Sequence, residues 1–208
     1  LQTLQIEQLR VGLDNFCYVV YCPITKDAAV VDPGFDIDPA LKVISIKELS
    51  LQFVIVTHFH DDHANALSQV KQSPSLKTVA SKLDSQHLDT TIDLCVEDED
   101  EIRLGKGTLH FILTPGHTPG GLCILVDNWA LLTGDTLFIG DCGRTDLPGG
   151  NLKAMFISLH QKIMGLPDGL IIYPGHDYGN KPYDTLGNQK KTNKALLAKT
   201  VEALGQIP

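Results

Sequence analysis

The chain has 208 residues, 43% of them apolar, with a net charge of -8. That acidity excludes a general nucleic-acid binder, which needs a basic footprint to neutralise phosphates. A chain of this length buries about 70% of its extended surface, so folding requires neither disulfide nor metal, and a metal-binding pattern points to chemistry. The first third reads as three strands, a helix and a fourth strand. Phe16–Tyr21 and Ala28–Asp32 are β-rich runs joined by the turn Pro23–Asp27. Asp32-Pro33-Gly34 forces a turn, and Asp38-Pro39 reads as an N-cap with proline at the first helical position of a helix to about Leu49. Leu51–Thr57 is nearly all apolar, as a strand buried on both faces is.

Helices are expected over His63–Lys71 and, more weakly, over Ser81–Leu88. From Thr91 to Thr133 the pattern is mostly β, through Leu109–Leu113, Leu122–Val126 and Trp129–Thr133. A helix opens at Asn151, where Leu152, Met155, Phe156, Leu159 and Ile163 trace one face. A strand at Leu170–Tyr173 and a final helix from about Gln189 complete the chain, whose last lysines fall on that helix's wet face. The pattern is α+β: two rough halves of strands and helices in a single domain, 1–208, sheets packed together with helices outside. The acidic run Glu97–Glu101 reads as a solvated loop. The five cysteines form no Cys-x-x-Cys pair, which fits reduced thiols in a cytoplasmic setting. No run of about 20 apolar residues spans a membrane. The oligomeric state is left open, a homodimer included.

Four segments share one grammar: a hydrophobic strand ends, and a metal-competent side chain sits in the turn that follows. Leu51–Thr57 leads into His58-Phe59-His60-Asp61-Asp62-His63, Leu109–Leu113 into His117, Trp129–Thr133 into Asp135, and Leu170–Tyr173 into His176. Five of the eight histidines lie at these four places, a concentration that chance does not produce. Strands lying together bring such turns to one edge, where a rigid scaffold holds ligands and leaves them open to substrate. Imidazole and carboxylate bind zinc, iron or manganese, and the lack of clustered cysteines argues against a closed structural zinc site. A natural division places His58, His60 and His117 on one ion and Asp62, His63 and His176 on a second. Asp135 bridges them, and Asp62 and Asp135 are the candidate catalytic carboxylates. His87, His110 and His160 belong to no such turn and are read as ordinary histidines.

Thr57-His58-Phe59-His60-Asp61-Asp62-His63, His117-Thr118-Pro119-Gly120, Thr133-Gly134-Asp135 and Pro174-Gly175-His176-Asp177 resemble, in order, the motifs of the metallo-β-lactamase superfamily. The resemblance covers essentially the whole chain and implies an αββα sandwich with the metal site at one edge. Asp32-Pro33-Gly34 and Gly143–Gly150 resemble glyoxalase II-like hydrolases, which implies two divalent ions, zinc foremost, and hydrolysis of a small-thiol thioester such as hydroxyacylglutathione by a metal-bound hydroxide. Cys142-Gly143-Arg144-Thr145-Asp146 and Tyr173–Tyr178 also resemble persulfide dioxygenases. That alternative implies a single Fe(II) on His58, His117 and Asp135, oxidising glutathione persulfide to sulfite. Two features depart from the dioxygenase pattern: the glycine after Asp32-Pro33, and Leu147-Pro148 after Arg144-Thr145-Asp146. Under either resemblance Arg144 and Tyr178 are candidate substrate-binding residues, though Arg144 can equally pair with Asp146 or Asp141, and Tyr178 can simply pack. Cys142 sits near the site without a sign of activation, and Asp32 is a candidate acceptor for a ligand histidine.

Overall fold

The computed structural model describes residues 2–70 and 76–207. Two six-stranded sheets form from the two halves of the chain. The first runs β1 (Gln5–Val11), β2 (Asn15–Tyr21), β3 (Asp27–Val31), β4 (Ser50–Ile55), β5 (Lys77–Ser81) and β6 (Leu94–Val96) in spatial order. The second contains β7 (Glu101–Leu104), β8 (Gly107–Leu113), β9 (Leu122–Val126), β10 (Ala130–Gly134), β11 (Ile171–Pro174) and β12 (Asp184–Thr185). Each half opens with antiparallel hairpins. The first then turns parallel from β3 to β6, and the second has one parallel pair, β10 with β11.

The period-2 alternation of the strands decides the layers. Phe16, Tyr18 and Val20 face inward with Ala29, Val31 and Ile55, and meet Leu109, Phe111, Ile124 and Leu132 of the other sheet. The intervening Cys17, Val19 and Tyr21 face outward onto Ile37 and onto Ala40 and Ile44 of α1 (Asp38–Ile46). Beyond the second sheet, Cys123, Leu131 and Ile172 pack under Met155, Leu159 and Ile163. The result is the expected αββα sandwich.

Several local expectations are corrected. The N-cap position of α1 is Ile37, not Asp38; Asp38 lies in the first turn, its N–H bonded to Asp36. The helix stops at Ile46, because Glu48 takes a left-handed conformation (φ 54°) that turns the chain into β4. Strand β4 is buried at Val54 and Ile55 but half-buried over Leu51, Gln52 and Phe53. The helix expected from His63 begins at Asp61 as one short turn, α2 (Asp61–Ala64), and tightens into a 3-10 turn over Asn65–Gln69; Lys71 lies outside the described residues. Ser81 ends β5, and only Asp84–His87 is helical there, again as a 3-10 turn. The helix from Asn151 forms as expected, with Asn151 capping Ala154 N–H of α3 (Leu152–Ile157) before a wider π-type turn over Ser158–Lys162. The single final helix is instead three: α4 (Leu186–Thr192), α5 (Lys194–Leu197) and α6 (Val201–Leu204), restarted by the caps Thr185, Asn193 and Thr200. Lys190 is half-buried rather than wet, bonded to Leu166 O and Asp168. Among the described residues no helix is long and apolar enough to cross a membrane.

Candidate metal centre

The carboxyl ends of β4, β8, β10 and β11 lie at one edge, where the two sheets are stitched together. Leu122 N–H donates to Thr57 O and Phe16 N–H to Gly175 O across the sheets, and Gly175 N–H donates to Gly134 O within the second sheet. Two glycines permit this approach. Gly134 has φ 47°, and a Cβ there would meet Thr57 Cβ at 2.8 Å; a Cβ on Gly175 would strike Asp135 Oδ1.

All seven predicted ligand residues converge at this edge. Their candidate ligand atoms fall into groups within 4.8 Å of one another: His58, His60 and His117; Asp62, His63 and His176; and His58, His63 and Asp135. Asp135 touches both outer sets, with Oδ2 3.4 Å from His117 Nε2 and 3.3 Å from His176 Nε2, and Oδ1 3.4 Å from His63 Nε2. His63 Nε2 lies 3.2 Å from His176 Nε2 and 3.5 Å from Asp62 Oδ2. His117 Nε2 lies 3.0 Å from His60 Nδ1. Two donors on one tetrahedral zinc, each about 2.1 Å away, stand about 3.4 Å apart, so these spacings suit ligands sharing an ion.

Four rings are aimed by their outer nitrogens. His63 Nδ1 is held by Asp32 Oδ2 at 3.0 Å, His117 Nδ1 by Arg144 O at 2.7 Å, and His176 Nδ1 by Asp14 Oδ1 at 3.3 Å. Thr57 donates its hydroxyl hydrogen to Asp32 Oδ2, so it can only accept from His58 Nδ1, 3.1 Å away. The tautomer of His58 follows: Nδ1 carries the hydrogen and Nε2 presents its lone pair inward. His58 Nε2 and Asp135 Oδ1 are both buried without a hydrogen-bond partner. An orphaned buried acceptor beside an orphaned carboxylate oxygen is costly unless a cation lies between them. The donor set therefore fits a divalent metal.

The electrostatics agree. Burial and the neighbouring histidines hold His58 well below the usual imidazole range, as a neutral ligand requires. At His63 burial opposes the charged form, but Asp135, Asp32 and Asp62 outweigh it and hold its pKa at about 9. His176 is likewise raised against burial, to about 10, by Asp135 and Asp62. Burial works to raise the carboxyls of Asp62 and Asp135, yet the facing histidines pull both below the ordinary range. Zinc added to metal-free protein at pH 7 is thus expected to release about two protons, which an indicator dye measures. Its apparent affinity should rise with pH until His63 and His176 have titrated, near 9 and 10. The charge on His63 stabilises the metal-free fold fully below about pH 6.5, and this contribution is lost as pH rises through about 9.

An open cleft of about 820 Å³ leads to the ligands. Phe138 and Ile139 form its apolar wall, and Arg144 and Tyr178 stand on its rim. Arg144 makes the anticipated pair with Asp146, bidentate through Nε (2.7 Å) and Nη2 (2.8 Å), and remains mostly exposed. Tyr178 packs, stacked on the His176 ring at 4.7 Å and edge-on to Phe138. The thiol of Cys142 is pushed up to about 12 by burial and by Asp141, so it is not an activated nucleophile. His87 lies against Phe59, His110 pairs with Glu99 and Glu101, and His160 lies on Phe156, all outside the ligand set.

Sequence reasoning missed three supports. Asn15 donates to Asp62 Oδ2 at 2.9 Å, Asp14 orients His176, and Asp84 braces the loops carrying His58, His60 and His117. Asp14 sits in the β1–β2 turn, 162 residues from His176, and Asn15 opens β2, 47 residues from Asp62, so no local spacing announces either contact.

A family model described as the Metallo-beta-lactamase superfamily matches residues 10–176. The chain is 35% identical over 186 residues to the persulfide dioxygenase ETHE1, mitochondrial, of Homo sapiens, covering 88% of this chain and 71% of that protein. It is 31% identical over 203 residues to the hydroxyacylglutathione hydrolase of Rhodospirillum rubrum, covering 97% and 77%. Among solved structures, ETHE1 from Myxococcus xanthus superposes with a TM-score of 0.87 at 28% identity, over 96% of this chain and 88% of that one.

Proposed function

The chain belongs to the metallo-β-lactamase superfamily, and within it we propose that it is a metal-dependent hydrolase of small-thiol thioesters, of glyoxalase II type. One observation carries the reading: two three-residue ligand sets lie side by side, and Asp135 touches both. Five imidazoles and two carboxylates with no thiolate suit zinc, with iron or manganese also accommodated. Metal ions held there would supply Lewis acidity and lower the pKa of a bound water to about 7. The chain's own residues do the rest. Asp135 holds the two sets in register, and Asp62, braced by Asn15, completes the second. Phe138 and Ile139 offer a dry wall to the acyl group, and a thiolate leaves without a strong general acid.

Arg144 is proposed to hold a carboxylate of the thiol carrier, its guanidinium preset by Asp146 and aimed along the rim. Arg144→Ala should then raise KM about tenfold with kcat nearly unchanged, as expected for a contact equal in ground and transition states. Steady-state kinetics check this, and an unchanged KM would leave the residue a purely structural pair with Asp146. Tyr178, exposed and stacked on the His176 ring, is the second candidate for a substrate contact.

A second reading, mononuclear iron persulfide dioxygenase, is favoured by the 35% identity to the human persulfide dioxygenase. Two assays separate them: hydrolysis of lactoyl-glutathione, and oxygen uptake with glutathione persulfide. The proposal expects the first activity without the second; persulfide-dependent oxygen uptake without hydrolysis would replace it.

A further inference from the structure

The 3-10 turn after β5 places a fully buried carboxylate, that of Asp84, beneath the ligand edge. Asp84 Oδ1 accepts from Gly120 N–H at 2.6 Å, and Oδ2 accepts from Thr118 Oγ at 2.7 Å and from Phe59 N–H at 3.2 Å. Its own N–H donates to Ser81 Oγ, which fixes the turn. Among the described residues Asp84 forms no ion pair, so its charge is held by loop donors alone. Burying a carboxylate on such terms is expensive, and these donors decide where the loops can sit. Phe59 lies between His58 and His60, and Thr118 follows His117. A Cβ on Gly120 would strike Ser81 Oγ and come within 2.6 Å of Asp84 Oδ1, so that loop rests directly on the carboxylate.

We infer that Asp84 is a positioning residue that sets the spacing of His58, His60 and His117, and so controls the affinity of one metal position and not the other. The inference rests on reading those three histidines as one ligand set. The second set is braced by different groups: Asp32 on His63, Asn15 on Asp62 and Asp14 on His176. Nothing in that bracing passes through Asp84, and selectivity follows.

The test is chelator competition on the zinc-loaded protein, resolving the dissociation constant of each ion, with the absorption spectrum of the cobalt-substituted protein as a second readout. Asp84→Asn keeps the shape but turns an amide NH₂ toward donors. It should weaken one ion about 10- to 100-fold, leave the other within about twofold, and alter only one cobalt band set. Thr118→Val, which removes a single hydrogen bond, should show the same selectivity more mildly and serves if Asp84→Asn does not fold. Equal weakening of both ions, or no weakening in either variant, would overturn the inference. If the wild-type protein binds a single ion, the two-metal reading fails instead; Asp84 is then judged on that ion, and unchanged affinity in both variants overturns its role.

Discussion

Asp62→Asn should cut bound metal from two ions to one per chain and reduce thioester hydrolysis by at least about 10³-fold. The amide keeps the shape of the carboxylate and can still meet Asn15, so the fold should be preserved. What it loses is the anionic oxygen that faces His63 Nε2 at 3.5 Å and His176 Nε2 at 3.3 Å. Without it the second set keeps His63, His176 and the shared Asp135 but loses its own carboxylate, so a second ion would be held too weakly to persist. Metal analysis and hydrolysis rates on the purified variant check this. Under iron oxygenation the same substitution would leave one ion bound and oxygen consumption largely intact.

Asp32→Asn should lower metal affinity about 10- to 100-fold and destabilise the fold by about 2–3 kcal/mol. Asp32 is buried and accepts from Thr57 N–H at 2.7 Å, Thr57 Oγ at 2.7 Å and His63 Nδ1 at 3.0 Å. An asparagine offers one acceptor oxygen to these three donors and sets an NH₂ against the others. Because Thr57 Oγ is also the acceptor for His58 Nδ1, the change disturbs the tautomers of His58 and His63 together. Asparagine tolerates the left-handed backbone at this position (φ 52°), so strain does not confound the result. Denaturant unfolding and zinc competition give the two quantities. A variant with wild-type affinity would show that Asp32 only shapes the turn.

The layered fold and the meeting of the seven candidate ligand residues at one edge were legible in the sequence because both are written in local grammar. Alternating strands set the inner and outer faces, as with Phe16, Tyr18 and Val20 against Cys17, Val19 and Tyr21. Each ligand sits in a turn directly after a strand, so strand packing alone brings it to the edge. Asp32 was legible in part, since its turn role and its acceptor role proved to be one arrangement. Asp84, Asn15 and Asp14 were not, because their contacts cross 25 to 162 residues and depend on how the loops fold back. Helix ends were misplaced where a single residue decides them, as Glu48 does after α1 and Asn193 between α4 and α5.

The central claim is that two ions share the site, and metal content per chain of the catalytically active protein tests it most directly. The account predicts two divalent ions per chain, both lost to a chelator together with thioester hydrolysis and both restored with it. One iron per chain in a protein that carries out persulfide-dependent oxygen uptake would contradict it.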